Sequence, residues 1–147
     1  MMAMADIADQ AVQHGRDRAV PLSEIAARQH LPIAYLEQLF GKLREANLVA
    51  SVRGRSGGYR LARPAHEIVV ADVLTAVEEP TRMTRCLGGD SPGCVGEARC
   101  LTHGLWSALG RQIHGFLAGV TLADVIADQV STESGKALAR AVEVSHG

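Results

Sequence analysis

PLSEIAARQHLPIAYLEQLFGKLREANLVASVRGRSGGYRLARP, residues 21–64, joins two helical patterns to a basic, glycine-bearing hairpin pattern. Ser23 stands where a hydroxyl can cap a short helix carrying Ile25, Ala26 and Ala27. His30, Leu31 and Pro32 break that helix. The proline is tolerated in the first turn of the next one, where its missing N–H would have had no partner. That second helix sets Leu36, Leu39, Phe40 and Leu43 on one face at spacings of three and four. Tyr35, Glu37, Gln38, Lys42 and Arg44 occupy the rest of its surface. Asn47 falls where a helix often ends in a left-handed residue. LVASVRG then alternates like a strand, the glycines of RGRSGG permit a tight reversal, and YRLAR returns. Two short helices, a tight turn and a basic hairpin follow the order of a winged helix-turn-helix. The expected fold class is therefore mainly α with a small β-hairpin wing.

The charge is unevenly spread. The chain carries a formal −1, yet Arg16 to Arg63 holds nine Lys/Arg against four Asp/Glu, a local +5. From Pro64 onward there are six against ten, a local −4. A basic third in an otherwise acidic chain suggests a polyanion partner for that third. Thirteen of the fifteen basic residues are arginine, which suits bidentate contacts to phosphate and guanine. In a winged helix the second helix enters the major groove of double-stranded DNA. There Gln38 can address adenine and Glu37 can accept from a cytosine amino group. Arg53 and Arg55 at the wing tip suit phosphates or a narrow minor groove. The competing use of such a fold is protein–protein contact, against which stands a tip rich in both arginine and glycine.

All three cysteines and one histidine fall in CLGGDSPGCVGEARCLTH, residues 86–103. The spacing is Cys86-x7-Cys94-x5-Cys100-x2-His103, with Gly88, Gly89, Pro92, Gly93 and Gly96 between. This stretch has little apolar surface to bury, and binding an inorganic centre is one way to order it. Three chemistries compete. A Cys3His zinc site is sound in its ligands but lacks the close C-x2–4-C pair usual for zinc. Ordinary thiols would more naturally be scattered through a core. An iron–sulfur cluster accepts wide, uneven spacing and a histidine ligand, and leads on spacing. No C-x-x-C redox pair, nucleophile–base pair or phosphate loop is present, so no enzyme and no small-molecule substrate is expected.

Beyond the cysteines, Leu101, Leu105, Leu109, Ile113, Phe116 and Val120 recur at four and three, close to a coiled-coil seam. TLADVIADQ reads as a last short helix. No long apolar run or secretory leader is apparent and three thiols is an odd number, so a cytoplasmic protein without membrane contact is expected.

YLEQLFGKLREANLVASVRGRSGGYRL, followed by the three-cysteine loop and CLTHGLW, resembles the IscR-like family of winged-helix iron–sulfur regulators of transcription, with relatives of the NsrR and RirA types. The likeness runs from about residue 2 to about residue 130. It implies Cys86, Cys94, Cys100 and His103 as ligands of a 2Fe–2S cluster, whose occupancy controls genes of cluster assembly or stress response. It implies DNA contacts from Tyr35, Glu37, Gln38, Lys42, Arg53 and Arg55, and a homodimer on a palindromic operator. Glu37 matches an acidic residue used in choosing between sites, and Arg53 the wing arginine of the minor groove. Four segments follow: a DNA-binding winged helix over 1–80, a cluster loop over 81–103, a dimerisation helix and short helix over 101–130, and a flexible tail over 131–147.

Two departures from the pattern stand out. The seven residues between Cys86 and Cys94 exceed the IscR-like gap and approach NsrR and RirA sequences, which carry 4Fe–4S clusters. A 4Fe–4S nitric-oxide or iron sensor is thus the alternative, beside a zinc-bound or metal-free interaction protein. Relatives also begin with a further basic stretch, so the natural start is expected upstream of Met1.

Overall fold

The computed structural model describes residues 1–78 and 99–131. Cys86 and Cys94 lie outside the described residues, as do positions 132–147 of the expected tail.

The expected helix pair and hairpin are present, and a helix precedes them. Helix α1 (Met2–His14) buries Ala3, Met4, Ile7 and Ala8, and α2 (Leu22–Gln29) buries Ile25 and Ala26. Helix α3 (Ile33–Glu45) buries Leu36, Phe40 and Leu43, the face its spacing predicts. Strands β1 (Val49–Val52) and β2 (Gly58–Leu61) pair antiparallel in the register Val49↔Leu61 to Val52↔Gly58. Val20 adds a third strand edge by exchanging both backbone hydrogen bonds with Tyr59, at 2.8 and 2.9 Å. The Tyr59 ring leans on Phe40 with centroids 4.9 Å apart, fixing the wing to the back of α3.

A single 3-10 turn (Ala65–Glu67) leads to α4 (Val70–Ala76). The long helix α5 (His103–Gly119) and short α6 (Leu122–Ile126) complete the described chain. Between them the chain returns to the winged domain. Val70 N–H donates to the Val120 carbonyl and Leu122 N–H to the Ile68 carbonyl, each at 2.9 Å. Leu122 and Ile68 are fully buried. Thr121 caps α6 in a capping box with Asp124, satisfying the first turn's orphan donors.

Local signals were partly misleading at helix starts. Ser23 does not cap α2: the helix begins at Leu22 after Pro21, whose ring-restricted φ of −63° already supplies the entry geometry. Pro32 likewise precedes α3 rather than lying in its first turn. At the other ends the chain turns through left-handed residues, His30 (φ 52°) after α2 and Asn47 (φ 56°) after α3. Asn47 therefore sits as expected.

One buried charge organises the α1–α2 contact. Asp6, 8% exposed, accepts from Arg28 Nη2 at 2.7 Å and Nε at 3.0 Å, and from Gln29 Nε2 at 2.8 Å. Burial alone would raise its carboxyl, but the hydrogen bonds from Arg28 and Gln29 and the Arg28 charge outweigh it and hold the pKa below the usual carboxylate range. A depressed folded pKa contributes stability above the unfolded value, about 3.9, that is lost as pH falls through the folded one. Asp6→Ala should therefore cost about 1.5–3 kcal/mol at pH 7. Its deficit against wild type should shrink in thermal melts as pH drops below about 3.9.

Gly58 is demanded by a close approach: a Cβ there would lie 2.4 Å from the Val20 carbonyl group. Gly58→Ala should lose about 1–3 kcal/mol by forcing the Val20 edge off the wing. Gly41→Ala, where a Cβ meets nothing within 4 Å, should stabilise α3 by about 0.5–1 kcal/mol. Denaturant melts of the two variants should move in opposite directions.

Candidate nucleic-acid interface and cluster-loop anchor

Burying Leu36, Phe40 and Leu43 turns the opposite side of α3 to solvent. Tyr35, Glu37 and Gln38 are exposed there, with Tyr35 at 44%. Arg53 and Arg55 are exposed at the wing tip, where Gly54 adopts φ 113° and Gly57 N–H donates to the Gly54 carbonyl at 3.0 Å. Five of the six residues expected at DNA are thus surface side chains on two adjoining elements. The sixth, Lys42, is half-buried and ion-paired with Glu78.

The structure divides the nine basic residues of the Arg16–Arg63 segment by role. Arg28 serves Asp6 and Glu24, Arg18 reaches Glu24, Arg60 faces Asp17, Arg63 faces Asp72, and Lys42 meets Glu78. Arg16, Arg44, Arg53 and Arg55 make no ion pair among the described residues. Charge counting along the sequence therefore overstates the cations ready for a polyanion. The expected DNA contacts leave out Arg44, whose exposure on α3 follows from the same spacing that placed Lys42.

Cys100 and His103 stand together at the entrance to α5. Helix α5 starts at His103, two residues after the expected start, and Cys100 lies ahead of the turn that leads into it. His103 N–H donates to the Cys100 carbonyl at 3.0 Å, which closes the turn and fixes the two residues' spacing. Both side chains are half-buried, and Cys100 Sγ lies 3.5 Å from Thr102 Oγ1. Among the described residues no three His, Cys, Asp or Glu side chains gather in metal-binding geometry, as the other two cysteines lie outside them.

Helix α5 buries none of its residues. Leu101, Leu105 and Leu109 are exposed at 105%, 63% and 36%, while Ile113 and Phe116 are half-buried and Val120 alone of the seam reaches the core. The apolar seam read from the sequence is thus largely left uncovered by the described chain. No helix among the described residues is long and apolar enough to cross a membrane.

Known proteins share both halves. The profile of the Rrf2 family, described as an iron-dependent transcriptional regulator, matches residues 1–128. The HTH-type transcriptional regulator IscR of Serratia proteamaculans is 49% identical over 127 residues, covering 86% of this chain and 74% of that protein. Its namesake in Vibrio parahaemolyticus is 44% identical over 146 residues, covering 99% and 83%. The solved structure of T. potens IscR is similar with a TM-score of 0.65 and 35% identity, covering 86% of this chain and 80% of that one. These relatives are named as regulators of transcription, a non-enzymatic role. A profile spanning most of the chain and relatives close to half identical leave one assignment: the chain belongs to the Rrf2 family.

Proposed function

We propose that the chain is an IscR-type DNA-binding regulator of transcription that reports iron–sulfur cluster supply from the cytoplasm. The observation that carries this is the joint exposure of the α3 face and the arginine wing tip, on a domain into which the helix following Cys100 is anchored. Tyr35, Glu37, Gln38 and Lys42 address the major groove, and Arg53 and Arg55 the backbone or minor groove.

Cys86, Cys94, Cys100 and His103 form the ligand set, and three thiolates with one imidazole fit a 2Fe–2S centre. The described half supports this fit: the Cys100–His103 turn is closed by a backbone hydrogen bond, and Thr102 Oγ1 lies beside the Cys100 sulfur as an outer contact. When bound, the cluster supplies oxygen- and redox-sensitive chemistry that makes its occupancy a signal. The turn's strategic position is that it opens α5, whose far end is seated in the winged domain by Val120 and Leu122. The x7 spacing favours a second possibility, a 4Fe–4S centre in a nitric-oxide or iron sensor.

The uncovered Leu101, Leu105 and Leu109 are suited to pairing α5 with that of a second copy. A two-fold homodimer reads a palindromic operator with half-sites about one helical turn or a multiple apart.

Anaerobic purification with iron, acid-labile sulfide and zinc analysis tests the sensor. About two iron and two sulfide per chain are expected, falling sharply in Cys100→Ser. About four of each would establish the larger centre, and zinc or no metal in a cluster-competent preparation would overturn sensing. For DNA, Arg53→Ala and Arg55→Ala should each flatten the plot of log affinity against log salt by about 0.9. Arg60→Ala, whose guanidinium faces Asp17, should change it less. Salt titrations of binding distinguish the three.

A further inference from the structure

Lys42 is the one lysine of α3 and occupies its last turn, on the same helical stripe as Tyr35 two turns earlier. Its ammonium is held by Glu78, Nζ to Oε2 at 2.5 Å. Glu78 is not a loose surface acid. It ends the α4 segment in a left-handed conformation, φ 57°, with its N–H donating to the Thr75 carbonyl at 3.1 Å. The backbone thereby places Glu78 beside α3, within reach of Lys42.

The pair does little for the fold. Its side chains are 43% and 77% exposed, a setting in which solvent screens an ion pair and its worth is small. This distinguishes it from Arg28–Asp6, whose carboxylate is buried and which ties two helices together. The Lys42 hydrogen bond, with the Lys42 charge, lowers the Glu78 carboxyl below its ordinary value, so the acid is ionised at neutral pH. What the contact does change is the set of cations a phosphate can meet. Arg44, Arg53 and Arg55 are exposed without an ion pair among the described residues, whereas Lys42 arrives already neutralised.

We infer that Glu78 is a built-in competitor of DNA phosphate: it occupies Lys42 off DNA, must be displaced when α3 engages the duplex, and so holds down sequence-independent affinity. The inference rests on the DNA-binding function proposed above. Carboxylate and phosphate compete for one ammonium, and a duplex phosphate that wins it releases a counterion only once Glu78 has let go.

The test uses the full chain and a fluorescein-labelled mixed-sequence duplex of about 30 base pairs, because a lysine–phosphate contact carries no sequence preference. Anisotropy titrations between about 50 and 200 mM salt compare wild type, Glu78→Gln, Lys42→Met and the double variant. Glu78→Gln should bind several-fold more tightly at low salt, with a salt slope close to that of wild type, because Lys42 meets a phosphate in both complexes. In the Lys42→Met background the same substitution should change neither. Unchanged affinity in Glu78→Gln would overturn the inference while leaving DNA binding intact. Equal tightening in the Lys42→Met background would overturn it too, by showing a general effect of removing one negative charge. Failure of all four proteins to bind the duplex would overturn the DNA-binding function and the inference together.

Discussion

Two backbone hydrogen bonds, Val70 to Val120 and Leu122 to Ile68, tie the end of α5 to the winged domain. With Leu122 fully buried, the end of α5 cannot shift without disturbing Ile68 and the core behind α3. Thr121 and Asp124 reinforce the joint by capping α6 as it leaves. Helix α6 then packs on α1 and on the 3-10 turn, so both flanks of the winged domain register where α5 sits. On the proposed function, α5 is the element that joins the Cys100–His103 turn to the winged domain.

Electrostatics follow from the same packing. Burying one face of α3 dictates that its remaining side chains meet solvent, and the fold then assigns the cations. Arg28 is consumed by the buried Asp6, and Arg18, Arg60 and Arg63 by neighbouring acids. Arg44 on α3 and the pair at the wing tip are left facing outward, while Lys42 is held in reserve by Glu78. A basic segment of local charge +5 thereby becomes a much smaller reading surface.

The parts legible in the sequence were those fixed by local rules. The face of α3 followed from apolar residues three and four apart, and Asn47 from the left-handed turn that ends a helix. The hairpin followed from alternation interrupted by glycines. The misreadings share one cause: local chemistry was outvoted by geometry set elsewhere. Pro21 and Pro32 fix the helix entries with their φ values, displacing Ser23 from its expected cap. The dimerisation helix starts two residues later than expected because the chain first turns at Leu101 and Thr102. Long-range pairings left no local mark at all. Asp6 finds Arg28 across 22 residues and Lys42 finds Glu78 across 36, and no spacing rule reaches that far. Of the four expected ligands, Cys100 and His103 share one backbone-bonded turn, while Cys86 and Cys94 lie outside the described residues. The family likeness carried functional content that residue spacing alone left divided among iron–sulfur, zinc and plain thiols.

The proposed function links cluster occupancy to DNA affinity through this seat. The most direct measurement is the affinity of one anaerobic preparation, cluster-loaded and after cluster removal, for a duplex obtained by in vitro selection on the loaded protein. Linkage predicts that the two dissociation constants differ by about 5–150-fold, the usual range for coupled sites. Equal constants for loaded and stripped protein, with both demonstrably folded, would contradict it.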